Sequence, residues 1–544
     1  MQFGYRIIGF ALAGLLAAIG IARLNAAESA DRPGRLNVLF LAVDDLRPEL
    51  GCYGASHIVS PRIDRLAARG VRFDRAYCQY AICGPSRASL LTGLRPDTLK
   101  IEHIDTFFRD TVPDVVTLPQ QFRTHGYTTV YADKVFHAGQ TDDARSWSRP
   151  AVRIAARPGA GAGEYQLPDN RAVVQRRRDE ALARFGPGTD LVGLACGPAV
   201  EAADAPDDAY ADGRITASAL ATLREIKDQP FFLAVGWHKP HLPFVAPKRY
   251  FDLYDPQRLP LCPLQVPPQG APAIAVHRSF ELRTRAGVPT RGPIDEATSR
   301  RLLHGYAACV SFIDAQVGRI LDELDALGLT DRTVVVFWGD HGWHLGEYGI
   351  WGKATNYEVA TRVPLIVAAP GAAGNGHGTR ALAEFVDVYP TLCELAGLPR
   401  PTHLEGASLV PVLENPAATV KAVARSQFPA PALREWAARP LSPAMRQTFF
   451  GPLMEDTEAT LAREHGDRWD PAVFARDVMG YSMRTDRYRC TLWVDRRHPK
   501  SEPYAVELYD HDSDPHETVN LANRPEHFAT IAELRQKLEQ GDGR

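Results

Sequence analysis

Four short apolar runs predict the strands of a buried sheet. They are rich in Val, Leu and Phe and do not alternate with polar positions, which is typical of strands covered on both faces. The runs lie at residues 36–45, 127–134, 230–241 and 332–342. Each run ends in polar residues, and these ends are the first candidates for a functional site.

Helical patterns lie between these strands. The stretch 60–70 has Ser60 in the position of a helix cap, Pro61 in the first turn and Gly70 after the last turn. Residues 300–328 form a long amphipathic pattern. Strands that alternate with helices predict an α/β fold with a mostly parallel central sheet flanked by helices. Because ligands of such sheets bind beyond the carboxyl ends of the strands, the polar ends of the apolar runs should converge.

The pattern changes near residue 418, where we predict a domain boundary. Residues 480–495 and 504–512 partly alternate, which favours an antiparallel sheet, and 526–540 predict a terminal helix. We therefore expect a catalytic domain at 34–418 and a smaller C-terminal α+β domain at 419–544. Two segments rich in Pro, Gly and charge, 140–215 and 262–298, are predicted to be surface insertions.

The first 26 residues predict a signal peptide. Arg6 precedes an apolar run that ends at Ile21, and small residues follow around Ala26, where we expect cleavage. The alternative is a retained membrane anchor, but the run is shorter than the ~20 apolar residues that a spanning helix requires. The chain is rich in Arg and Ala, which suggests a bacterial source. We therefore expect an exported protein, periplasmic or secreted, with no stable membrane anchor.

Composition narrows the class of protein without identifying its activity. The 544 residues are 45% hydrophobic and 23% charged, with a formal net charge of -3, as in an ordinary globular chain of two or more domains. The near-neutral charge gives no general argument for binding nucleic acid or an anionic membrane. The eight cysteines are thinly spread and form neither a disulfide framework nor a CxxC metal motif.

Two acidic clusters favour a divalent cation. Asp44 and Asp45 end the first apolar run, and Asp340 and His341 end the last. Adjacent carboxylates repel each other unless a positive charge lies between them, although one could cap a turn while the other stays solvated. Calcium accepts several carboxylate oxygens, whereas magnesium takes fewer and keeps its waters. His341 is a softer ligand than calcium usually takes, so it either joins the metal or contacts a bound anion.

Lysine and histidine follow the remaining apolar runs. Lys134 and His137 come after the second run, His238 and His241 after the third, and Lys353 shortly after the fourth. Only nine of the 62 Lys and Arg residues are lysine, so Lys134 and Lys353 stand out as compact cations. A single histidine is more often structural than catalytic. Together with a cation site, these side chains indicate a pocket for a tetrahedral oxyanion ester.

Cys83 stands directly before Gly-Pro-Ser-Arg, at the predicted start of a short helix that Gly93 ends. The unpaired N–H groups of a helix N-terminus favour anions, and Arg87 adds a positive charge. Such a place is expected to lower the pKa of the thiol and make Cys83 reactive. The alternative is a buried structural cysteine.

The stretch CGPSRASLLTG around Cys83 is similar to the signature of the formylglycine-dependent sulfatases, which share the alkaline phosphatase-like fold. That signature is Cys-x-Pro-Ser-Arg followed by Leu-Thr-Gly, and in the family the cysteine is oxidised after synthesis to formylglycine (3-oxoalanine). The resemblance extends from VLFLAVDDLRPELGCYG to ELYDHDSDPHETVNLA, nearly the whole mature chain. The segments KVFHAG, FFLAVGWHKPHLPF and DHGWHLGEYGIWGKATN most resemble the iduronate-2-sulfatase branch. Asp133 stands where members of that branch have Gly.

The resemblance implies two sets of functional residues. The ligands of one calcium ion would be Asp44, Asp45, Cys83 in its modified form, Asp340 and His341. The catalytic residues would be Cys83, Arg87, Lys134, His137, His241 and Lys353.

The resemblance also implies a catalytic role for each of these residues. One hydroxyl of the hydrated formylglycine, held by Arg87, would attack sulfur and expel the alcohol, and the other would then lose its proton so that sulfate leaves. Lys134 and Lys353 would bind the sulfate oxygens. His137 would be the base for sulfate release and His241 the acid for the leaving alcohol, a role that Lys353 could share. His238 is a weaker candidate, and we expect it to contact these residues rather than the substrate.

A sulfated carbohydrate is the implied substrate, with a 2-O-sulfated uronic acid in a glycosaminoglycan-like chain as the nearest match. Another sulfated glycan or a small sulfate ester is the alternative, because the two insertions would shape the sugar pocket. The implied protein partner is a formylglycine-generating or other sulfatase-maturing enzyme.

Three further classes compete with a sulfatase. A phosphonate or phosphate ester hydrolase of the same superfamily would use more acidic ligands than the two clusters here. A non-catalytic glycan-binding relative would have lost Cys83, Lys134 or His137, and all three are present. A redox role for Cys83 leaves the adjacent Pro-Ser-Arg unexplained.

Overall fold

The computed structural model describes residues 35–540 apart from 138–142, 151–153, 155–164, 190, 192, 435–439, 441 and 442. The predicted signal peptide lies outside the described residues, as does part of the predicted insertion at 140–215. No helix in the described ranges is sufficiently long and apolar to span a membrane.

The four predicted strands are present and lie side by side in the central sheet. They are β1 (Asn37–Val43), β3 (Thr128–Asp133), β5 (Phe231–Trp237) and β7 (Thr333–Gly339). Their order is β7-β1-β5-β3, and all three pairings are parallel. The register pairs Val43 with both Trp237 and Gly339, so the residues that follow these strands meet at one edge.

Four more strands extend this sheet beyond β7. They are β2 (Val71–Tyr77), β10 (Arg362–Val363), β11 (Leu365–Ala368) and β12 (Gly378–Glu384). β11 is antiparallel to β7 and β2, β10 is antiparallel to β2, and β12 is parallel to β2. The sheet is therefore mixed, with a parallel half that carries the polar strand ends.

Helices cover both faces of the sheet. Alternate residues of β1 belong to different cores: Leu39 and Leu41 pack on one face, Val38 and Phe40 on the other. All four are buried, which explains why the run shows no polar alternation. The helices before residue 418 are α1 (Pro61–Ala67), α2 (Cys83–Thr92), α3 (Pro96–Leu99), α4 (Phe108–Thr111), α5 (Leu118–Thr124), α6 (Pro168–Phe185), α7 (Ala211–Ile226), α8 (Lys248–Phe251), α9 (Phe280–Arg283), α10 (Glu296–Ala326), α11 (Glu358–Thr361), α12 (Val388–Leu395) and α13 (Val410–Glu414).

The cap of α1 differs from the prediction. Ser60 occupies the cap position, but its side chain makes no cap hydrogen bond, and its Oγ accepts from the N–H of Gly51 instead. Asp314 of α10 replaces it, because its Oδ1 accepts from the N–H groups of Arg62 at 3.0 Å and Ile63 at 2.8 Å. The first turn of α1 is thus satisfied by a residue distant in sequence.

A second, antiparallel sheet follows. Its strands, in sheet order, are β13 (Ala424–Pro429), β14 (Val478–Arg484), β15 (Tyr488–Asp495) and β16 (Ala505–Asp510). The accompanying helices are α14 (Pro443–Arg446), α15 (Phe450–His465), α16 (Pro471–Arg476) and α17 (Phe528–Gln540). Two smaller sheets pair β4 (Val200–Ala203) with β6 (Phe244–Pro247) and β8 (His344–Leu345) with β9 (Trp351–Gly352). The predicted fold class is confirmed, while the boundary at residue 418 stays a prediction.

A buried ion cluster ties the second sheet to the loop that carries Lys353. Arg489 of β15 donates from Nε to Glu517 at 2.6 Å and from Nη2 to Glu358 at 2.5 Å. Glu358 begins α11, only five positions after Lys353. Arg489 is 1% exposed, so water does not screen these pairs.

Arg489→Ala is expected to lower the free energy of unfolding by about 3–5 kcal/mol, because it removes the buried cation shared by Glu517, which is buried, and Glu358, which is partly buried. Arg487→Ala is the matched control. Arg487 also bonds a carboxylate, Asp510 at 2.6 Å, but its side chain is 51% exposed and water screens the pair, so the loss should be much smaller. Denaturant unfolding of both variants measures the difference, and equal losses would contradict the stabilising role of the buried cluster.

Candidate active site

The two acidic clusters meet between β1 and β7. The backbone N–H of Asp340 donates to the carbonyl of Val43 at 3.0 Å, which continues the strand pairing by one residue. The N–H of Asp45 then donates to Oδ1 of Asp340 at 3.0 Å. Asp44, Asp45 and Asp340 are all fully buried. The parallel register therefore brings three buried carboxylates together.

Cys83 lies against these acids as the first residue of α2. The helix begins at Cys83 and ends at Gly93, which takes the left-handed conformation with φ 71°, as the sequence predicted. The Cys83 Sγ lies 3.3 Å from Nε2 of His341 and 3.5 Å from Nζ of Lys353. The structure thus joins the helix N-terminus to the ends of β1 and β7.

The expected lowering of the Cys83 pKa is wrong. Burial, and then the negative charge of Asp44, raise the pKa of the Cys83 thiol well above its ordinary value. Lys353 acts in the opposite direction but does not outweigh them. The unmodified thiol is therefore a poor nucleophile here, since the thiolate is the reactive form.

The buried acidic side chains, with Cys83 and His341, are arranged so that they could bind one cation. Asp44, Asp45, Cys83 and His341 each offer one ligand atom, and these four atoms lie within 4.8 Å of one another. Oδ1 of Asp44 and Oδ2 of Asp45 make no hydrogen bond to any residue that the structure describes. Burial, opposed by Lys353 and aided by Asp44, raises the pKa of Asp45 well above its ordinary value. A divalent ion would supply the missing positive charge.

Asp340 lies beside this group of four, and both of its carboxylate oxygens accept hydrogen bonds. Oδ1 accepts from Asp45, and Oδ2 accepts from Nε of Arg87 at 2.8 Å. Oδ1 also lies 3.5 Å from Nε2 of His341. Burial lowers the pKa of His341 although Asp340 acts against it, which keeps the imidazole neutral and able to bind a metal.

Three buried cations surround the acids. Arg87 bonds Asp340 and also donates to the carbonyls of Lys134 and, at 3.2 Å, Val135, so it joins α2 to the ends of β3 and β7. Lys134 Nζ contacts Oδ2 of Asp44, and Lys353 Nζ donates to Oδ1 of Asp45 at 2.7 Å. These cations make the pocket suitable for a small oxyanion.

The structure brings His241 into this pocket. Its Nδ1 lies 2.6 Å from the carbonyl of Leu242, which directs Nε2 toward Oδ2 of Asp45, 3.9 Å away. Burial, and then Lys353, lower the pKa of His241 well below its ordinary value.

His137 follows β3 on the same side as Lys134. Burial, and then the charge of Lys134, lower the pKa of His137 to about 3. The imidazole of His137 is therefore neutral near pH 7, with a lone pair on one ring nitrogen.

His238 points elsewhere and pairs with Asp133. Its Nε2 lies 2.7 Å from Oδ1 of Asp133, and the side chain is 36% exposed. Although burial opposes the charge, the hydrogen bond to Asp133 raises the pKa of His238. Asp133 has φ 57°, a left-handed conformation that Gly adopts without strain and most other residues do not. His238 therefore supports the ends of β3 and β5.

Glu281 is a site residue that the sequence did not reveal. Its Oε1 lies 3.4 Å from Nε2 of His241, and its Oε2 lies 3.7 Å from Nζ of Lys353. It belongs to the four-residue helix α9, inside the segment 262–298 that was predicted to be a surface insertion. Glu281 does not follow a strand and belongs to no periodic pattern or motif in the sequence. Only the tertiary structure shows that α9 lies beside the pocket.

Comparison with known sequences agrees with this arrangement. The model of the sulfatase family matches residues 36–398. Iduronate 2-sulfatase of Mus musculus is 34% identical over 98% of this chain and 98% of its own length. Iduronate 2-sulfatase of Homo sapiens is 33% identical over 95% of this chain and 96% of its own length.

Comparison with solved structures extends to nearly the whole fold. The phosphonate monoester hydrolase of Silicibacter pomeroyi superposes with a TM-score of 0.67 and covers 93% of this chain and 95% of its own. Its sequence identity is 24%, so this likeness concerns the fold alone.

Proposed function

This chain belongs to the sulfatase family and is a sulfuric ester hydrolase, and from that premise we propose that it removes sulfate from a sulfated sugar through a residue made from Cys83. The observation that carries the proposal is the position of Cys83. It begins a helix, contacts His341 and Lys353, and faces a group of buried acids that suits one cation.

We propose Ca²⁺ as that cation, held by Asp44, Asp45, residue 83, Asp340 and His341. The predominance of carboxylate oxygens among these residues supports calcium. When bound, the ion would polarise the sulfate group and its attacking oxygen.

Formylglycine at position 83 would supply a hydroxyl nucleophile once hydrated. The other side chains have separate tasks around it. Lys134 and Lys353 hold two sulfate oxygens as negative charge grows on them, and Arg87 anchors the helix and the acids. The negative charge of a bound sulfate would raise the pKa of His241, so that His241 gives a proton to the leaving alcohol, and His137 accepts a proton when sulfate is released.

For the sugar we propose a 2-O-sulfated uronic acid in an oligosaccharide or polysaccharide. The support is the likeness to the two iduronate 2-sulfatases, which extends over nearly their whole length. Another sulfated glycan or a small sulfate ester remains the alternative.

The experiment is an activity screen of the protein produced together with a sulfatase-maturing enzyme. Defined sulfated mono- and disaccharides, a phosphate monoester and a phosphonate monoester are compared by kcat/KM. We expect the highest value for a uronic acid 2-sulfate. A higher value for either phosphorus ester would overturn the proposal.

Asp45→Asn is expected to reduce bound calcium, activity and the thermal midpoint together, because an ion that binds only the folded state stabilises it. Elemental analysis and thermal unfolding with and without a chelator measure the three effects. Asp331→Asn, on the exposed surface, is the control and should change none of them. Unchanged calcium content in Asp45→Asn would contradict the ligand assignment.

A further inference from the structure

The proposed reaction assigns no role to the buried carboxylate of Glu281. It is 8% exposed, and it is not one of the four residues grouped around the cation site. A carboxylate beside a sulfate pocket repels the sulfate, so its presence there requires another explanation.

The two oxygens of Glu281 have different surroundings. Oε2 lies 3.7 Å from the ammonium of Lys353, which balances the charge. Oε1 makes no hydrogen bond to any residue in the described part of the chain. A buried acceptor without a donor is unfavourable, and a hydroxyl group of a bound ligand would satisfy it.

Oε1 of Glu281 lies beside Nε2 of His241, 3.4 Å away. The contact between Nδ1 of His241 and the carbonyl of Leu242 holds the ring in this orientation. In the proposed function Nε2 faces the ester oxygen of the leaving alcohol. On a sugar, the hydroxyl on the neighbouring carbon lies about as far from the ester oxygen as Oε1 of Glu281 lies from Nε2 of His241. That hydroxyl can donate the hydrogen bond that Oε1 does not receive from the described residues.

We propose that Glu281 selects the substrate by accepting a hydrogen bond from the hydroxyl next to the sulfated carbon. The enzyme then prefers sulfate esters of vicinal diols, a class that includes sugar rings with a free neighbouring hydroxyl. This assignment rests on the proposed sulfatase reaction. The negative charge of Glu281 also disfavours a second sulfate at the neighbouring position.

Two aryl esters test this role without knowledge of the sugar. In 2-hydroxyphenyl sulfate a hydroxyl neighbours the ester, and in 2-methoxyphenyl sulfate a methyl group removes that donor while the acidity of the leaving phenol stays similar. We expect the matured wild-type enzyme to prefer the hydroxy ester by about 10- to 100-fold in kcat/KM, the range of a hydrogen bond to a charged group.

The variants should remove this preference in steps. Glu281→Gln keeps a neutral acceptor and should retain part of it, whereas Glu281→Ala should bring the ratio of the two kcat/KM values close to one. Glu296→Gln changes an exposed glutamate at the start of α10 and should leave the ratio at its wild-type value.

The possible results are distinguishable. Equal kcat/KM for the two esters in the wild-type enzyme, or an equal loss on both in the Glu281 variants, would overturn the role of Glu281 as a hydroxyl acceptor. Failure of the matured wild-type enzyme to hydrolyse any sulfate ester would overturn the proposed function itself.

Discussion

Cys83→Ala is expected to abolish sulfate ester hydrolysis, with a loss on the order of 10⁶-fold, the scale reached when a hydrolase loses its nucleophile. An alanine methyl group cannot be converted to an aldehyde and offers no attacking oxygen. Mass spectrometry of the peptide that contains position 83 should show formylglycine in the wild-type protein produced with a maturing enzyme. Cys83→Ser should be equally inactive unless the host contains a serine-type maturing enzyme.

The control is Cys196→Ala, at a half-buried cysteine that is not part of the pocket, and it should keep wild-type activity. Fully active wild-type protein that contains only the free thiol at Cys83 would show that the modification is not required. That result would conflict with the raised pKa of the Cys83 thiol, since the neutral thiol is a poor nucleophile.

His241→Ala is expected to slow the hydrolysis of sugar sulfates by about 10²–10⁴-fold, the usual contribution of a general acid. An alkoxide of high pKa leaves slowly without a proton, whereas a phenolate of low pKa needs none. The loss should therefore shrink steadily along a series of aryl sulfates with increasingly acidic phenols. Steady-state rates across that series, for the variant and the wild type, measure the dependence.

His238→Ala is the matched control, because its imidazole pairs with Asp133 outside the acid cluster. Any loss in this variant should be the same for every leaving group. His137→Ala should differ again, since release of the first equivalent of alcohol should stay fast while later turnovers are slow. An identical loss for His241→Ala on all esters would show that His241 only positions the sulfate.

Much of the fold could be predicted because the parallel strands carry their signal locally. A run such as 36–45 is apolar throughout because helices cover both faces of the sheet, and that requirement is visible in the sequence itself. The cap of α1 shows the limit of such local reasoning. Ser60 matches the pattern of a helix cap, but Asp314 of the distant helix α10 makes the hydrogen bonds.

The candidate site could be predicted wherever its residues follow a strand or belong to the Cys83 motif. Asp44, Lys134, His241 and Asp340 come directly after or close to strand ends, and parallel pairing brings such ends together. Glu281 has no such mark, because it lies in a four-residue helix within a long connecting segment.

The sequence by itself determined the α/β fold class, the family, and the residue types that gather at the carboxyl edge of the sheet. Only the tertiary structure decided the electrostatic state of those residues. A helix N-terminus and Arg87 predict a reactive thiol at Cys83, yet burial and the neighbouring Asp44 raise its pKa. The reason is physical: desolvation and charge–charge energies depend on distances between groups far apart in the chain, and local sequence patterns do not contain those distances.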